Sequence, residues 1–77
     1  MAGSSTPFKV GDLLSLINDG DQITTATVTS IANRGGKTHV SLKDSEFHLE
    51  RDVESTGDWT IMKHDDVIRI CSAVVLP

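Results

Sequence analysis

The sequence predicts an all-β fold: one small closed or half-closed barrel of five to six short antiparallel strands. Three observations carry that expectation. Short apolar segments rich in Thr, Val and Ile recur along the chain, and these residues suit a pleated surface better than a helix. Turn signals separate the segments, including Asn18-Asp19-Gly20-Asp21 and Asn33-Arg34-Gly35-Gly36, with glycine where a tight hairpin asks for positive φ. Two later segments alternate apolar and polar residues regularly enough to fix their own pairing.

In chain order, residues 1–7 are small and polar, end on Pro7, and read as a disordered arm ahead of a domain over residues 8–77. Apolar segments follow at 12–17, 23–32, 38–43, 46–51, 59–63 and 67–76, with a longer loop at 52–58. A turn at Lys43-Asp44-Ser45-Glu46 pairs Leu42 with Phe47, Val40 with Leu49 and Thr38 with Arg51. It also sets His39 opposite Glu50, Ser41 opposite His48 and Lys43 opposite Glu46. Val40, Leu42, Phe47 and Leu49 then face a core, while the histidines and acids face outward.

The turn at Lys63-His64-Asp65-Asp66 pairs Ile61 with Ile68 and Trp59 with Ile70, with Thr60 and Arg69 outward. Continuing that parity points Ser72, Val74 and Leu76 inward, and Cys71 and Val75 outward. Two hairpins with one apolar face each need something to bury it, and a small barrel does so with few residues.

Length and composition set the limits. A chain of 77 residues forms at most one domain and buries only about 60% of its unfolded surface. No apolar run approaches the roughly 18 residues of a membrane span, and the N-terminus lacks the shape of a signal peptide, so a cytoplasmic setting without membrane contact is expected. The single cysteine, Cys71, excludes an intrachain disulfide and reads as a small hydrophobe. The net charge is −4, and residues 44–58 carry six acids against Arg51 alone. That balance disfavours a phosphate-backbone binder and favours a protein partner with a basic surface.

Phe8-Lys9-Val10-Gly11-Asp12, followed by an apolar strand, a Gly turn and a long Thr/Val strand, resembles the first hairpin of SH3-like small barrels. That class includes KOW-type modules and short phage-encoded proteins. Residues 56–70 also look like accessory proteins of actinobacterial phages, which implies action on a host protein in the host cytoplasm.

The candidate partner-binding residues are Glu46, His48, Glu50, Asp52, Glu54 and Asp58, as an acidic surface complementary to a basic one. The apolar C-terminal strand either closes the barrel or stays an edge, in which case Val74, Val75 and Leu76 would make a homo-oligomer contact. Arg34, Lys37, Lys63 and Arg69 form the alternative, a weak nucleic-acid surface around the Gly35-Gly36 turn. His39, His48 and Glu50 share the outer hairpin face and could ligate zinc. Their spacing is equally that of ordinary cross-strand pairs, and Lys43 nearby would repel a cation, so no metal or cofactor is assigned. Ser41 opposite His48 lacks a cleft or oxyanion hole, and no hydrolase or phosphate-loop motif occurs, so a non-enzymatic binding module is expected.

Overall fold

A computed structural model describes residues 6–77, so most of the arm expected over residues 1–7 lies outside the described residues. The described chain forms six strands: β1 (Leu13–Asn18), β2 (Asp21–Arg34), β3 (Lys37–Leu42), β4 (Phe47–Asp52), β5 (Trp59–Lys63) and β6 (Asp66–Val75). Each pairs antiparallel with the next, and β6 pairs back onto β1, so the strands close into a barrel in simple meander order. This is the small, SH3-like barrel that the strand pattern predicts.

Local chemistry sets the turns. Asn18 pairs with Asp21 across Asp19 (φ 54°) and Gly20 (φ 81°), and Arg34 pairs with Lys37 across Gly35 (φ 58°) and Gly36 (φ 76°). Two consecutive left-handed residues match the right-handed twist of flanking strands, which is why Asp-Gly and Gly-Gly stand there. The 14-residue β2 serves two neighbours, its first half pairing with β1 and its second with β3.

The core is Phe8, Leu14, Leu16, Val28, Val40, Leu42, Leu49, Trp59, Ile61 and Cys71. A fully buried side chain of the larger apolar types contributes about 1.5–3 kcal/mol. The β3–β4 pairing matches the expected register: Thr38 faces Arg51, His39 faces Glu50, Val40 faces Leu49 and Ser41 faces His48. The expected Lys43–Glu46 pair gives way to a bridge from Lys63 to Glu46 at 3.4 Å, because β5 lies alongside β4 and brings Lys63 opposite Phe47.

Three ladders carry an extra residue. Leu16 and Ile17 pair with Thr24 and Gln22, skipping Ile23; Val28 and Ser30 pair with Leu42 and Ser41, skipping Thr29. Ile61 and Met62 pair with Arg69 and Val67, skipping Ile68. The last bulge corrects the expected β5–β6 register beyond its first pairs. Trp59 faces Cys71 rather than Ile70, Thr60 faces Ile70, and Ile61 faces Arg69 rather than Ile68. Every later side chain of β6 changes face accordingly: Cys71 is buried and Ala73 packs on the core, while Ile70 and Val74 are exposed. Val75, expected outward, shares the inward parity of Cys71 and Ala73 but sits at the strand end and stays exposed.

Candidate functional site

Two groups of side chains open onto the surface of the barrel. One is an apolar mouth at the end of the barrel where the β3–β4 and β5–β6 turns lie. Leu16, Leu42 and Ile61 line its depth, and Ile23, Phe47 and Ile68 its wall, around an open cavity of about 540 Å³. The three wall residues are 38%, 39% and 49% exposed. Phe47 was expected in the core; it lies on the core face of β4 but at the first position of that strand, where no further layer covers it. Ile23 and Ile68 are the two isoleucines that the bulges push out of their ladders. A bulge re-aims a side chain and is a common device at barrel rims. Lys43, Asp44 and Arg69 also line the mouth, giving it a small basic excess.

The other end of the barrel is filled. The Phe8 ring packs 5.3 Å from that of Trp59, and the Arg51 guanidinium lies 4.2 Å above the indole. Burial lowers the pKa of Arg51, working against its charge. The indole face and the Gly57 carbonyl, which accepts from Arg51 Nη1 at 2.8 Å, offset that cost. Thr38 donates to Asn33 Oδ1 at 2.8 Å on the same floor.

The second group is His39, His48 and Glu50, on the outer face of β3 and β4. Alternation along β4 puts His48 and Glu50 on one side, and the register sets His39 beside Glu50. His48 Nε2 donates to Glu50 Oε2 at 2.5 Å, and His39 Nδ1 lies 3.5 Å from the same oxygen. One potential ligand atom from each residue falls within 4.8 Å of the other two. The side chains are 20%, 26% and 17% exposed for His39, His48 and Glu50 respectively, half-sheltered on the open face of a sheet. The hydrogen bond from His48, with the nearby positive groups, holds the Glu50 carboxyl below its ordinary range against the opposing effect of burial. His48 thus engages Glu50, two residues along its own strand.

The remaining candidates disperse. Glu46 bridges to Lys63 and Asp52 to Lys37 at 3.8 Å, and Glu50 is taken up by the histidines. Glu54 and Asp58 are exposed in the β4–β5 connection, and Asp58 lines a small polar depression with Asp19. Arg34 and Lys37 sit at the β2–β3 turn, whereas Lys63 and Arg69 lie toward the mouth, so the four basic residues do not converge. Val74 and Val75 are exposed; β6 pairs with β5 up to Cys71 and with β1 from Ser72 to Val75, and Leu76 N donates to the Leu13 carbonyl, so the pairing of these residues lies on the β1 side. Burial, then the charge of Asp58, pushes the Cys71 thiol up to about 11. No helix among the described residues is long and apolar enough to cross a membrane. No protein-family model matches the chain, and neither a curated protein nor a solved structure is significantly similar to it.

Sequence reading missed the mouth as a unit. Ile23 and Ile68 each stand a few residues from a turn, but Ile68 alternates in phase with Ile70 and so reads as a core position.

Proposed function

We propose that the protein is a non-enzymatic binding module whose barrel mouth receives an apolar side chain of a protein partner. The observation that carries this reading is the pair of bulges that turn Ile23 and Ile68 toward one open cavity beside Phe47. Leaving such side chains half-exposed forgoes on the order of 1 kcal/mol each, which a partner's apolar group would recover. Lys43 and Arg69 at the rim favour an acidic residue next to the inserted side chain.

The acidic surface keeps a separate role in this reading. Glu46, Glu50 and Asp52 have partners within the chain, so Glu54 and Asp58 are the acids left to steer a basic region of the partner. If the chain is phage-encoded, the partner is a host protein. Selection of peptides from a random library on the immobilised protein tests the proposal. Enriched sequences should carry a large apolar residue flanked by Asp or Glu and lose binding to Ile68→Asp. Failure to enrich any peptide, or equal binding to the variant, would count against the mouth.

A further inference from the structure

We infer that His39, His48 and Glu50 form a binding site for a divalent transition cation of the zinc class, with one coordination position open to water. Two imidazoles and one carboxylate are a donor set that suits zinc and disfavours calcium and magnesium, which prefer all-oxygen shells. Zinc bonds near 2.0–2.1 Å in a tetrahedron put ligand atoms roughly 3.3 Å apart. Glu50 Oε2 stands 2.5 Å from His48 Nε2 and 3.5 Å from His39 Nδ1, and the three residues' ligand atoms lie within 4.8 Å of one another. Side-chain rotations on the order of 1 Å close the difference, with no movement of the strands.

The short His48–Glu50 contact holds a proton where a cation would sit, so binding exchanges that proton for metal. The backbone beneath is preset: His39 and Glu50 are direct cross-strand partners, and Thr60 and Met62 of β5 flank Glu50 and His48. A shallow depression of about 290 Å³ beside the histidines leaves room for a completing water. Lys37 is the neighbouring cation that acts on Glu50, and its charge is shared with Asp52. Arg34 and Glu46 line the depression with opposite signs, and Lys43 lies in the barrel mouth instead.

The test is titration of the full-length, chelator-treated protein with zinc chloride by calorimetry, and with cobalt chloride by visible absorption. One ion per chain and the spectrum of a tetrahedral cobalt centre are expected. His39→Gln and His48→Gln should each weaken binding by at least the roughly 10–100-fold that loss of even an outer-sphere partner costs. His64→Gln, in the exposed β5–β6 turn, should leave it unchanged. Should a ligand variant fail to fold, zinc-induced NMR shifts confined to the imidazoles of His39 and His48 in the unmodified protein give the same answer. Absence of binding, binding that survives both glutamine variants, or shifts centred on His64 would overturn the assignment.

Discussion

The two ends of this barrel are built from the same six strands and finished in opposite ways. At one end Phe8 and Arg51 pack on Trp59, which is 2% exposed. At the other, Ile23, Phe47 and Ile68 stand half-exposed around a cavity that is open among the described residues. The strand β4 spans the difference, with Arg51 near its closed end and Phe47, four positions earlier, at the open one. The chain has three aromatic residues, and two of them are spent on a single end. A small barrel has little material with which to fill both mouths, and the unfilled one is where the proposed partner side chain would enter.

The largest effect should come from breaking the closed end. Trp59→Ala removes the ring that Phe8 and Arg51 both contact, and large aromatic truncations in a core cost about 3–5 kcal/mol. Domains of this kind have about 5–15 kcal/mol in total, so urea unfolding should show a severely weakened transition. Arg51→Ala should cost about 2 kcal/mol through the lost stacking and the unpaired Gly57 carbonyl. Arg51→Met, which keeps the aliphatic stem over the indole, should recover part of that loss in the same assay. An equal loss in both variants would show that packing of the stem contributes nothing.

Acid tests the outer face between the two ends. The folded-state pKa of Glu50 is lowered, so its contribution is fully present above the unfolded value of about 4.3 and is lost as pH falls through the lower folded value. Glu50→Gln should flatten that part of the stability curve, measured as urea midpoints from neutral pH downward. Thiol accessibility gives a kinetic comparison. Cys71 is buried against Trp59 with its pKa raised to about 11, so a thiol-specific reagent should label it only on unfolding. Trp59→Ala should speed that labelling. The smallest effect on stability belongs to the open end, where Ile68→Ser should lower the unfolding free energy from urea titration by about 1 kcal/mol, the part of its burial that half-exposed Ile68 retains. A cost comparable to Arg51→Ala would mean that the mouth is part of the core after all.

Much of this architecture was legible in the residues because alternation and turn chemistry act locally. The β3–β4 register followed from the turn at Lys43–Glu46 and from Val40, Leu42, Phe47 and Leu49, since a one-residue slip would turn them into water. That same register brought His39 beside Glu50. The β6 pairing failed after its first two positions for a physical reason: in Val67-Ile68-Arg69-Ile70-Cys71, the larger hydrophobes advertise the wrong face. A bulge leaves no compositional mark, and the barrel settles the choice by filling its tapering interior with Cys71 and Ala73 instead. Burial of Arg51 was equally hidden, because it depends on Trp59 arriving from another strand. The convergence of Ile23 with Ile68 depends on closure of the whole sheet, which no local pattern encodes.

The bulge at Ile68 also makes an unusual statement about the gene. Losing one codon inside a strand ordinarily turns every later side chain over, and a small domain seldom survives it. Here the β5–β6 ladder passes from Val67 directly to Arg69 and leaves Ile68 without a partner. A deletion confined to that codon would keep Trp59 opposite Cys71 and β6 in step with β1, while taking away one wall of the mouth. The fold and its opening can thus be inherited separately.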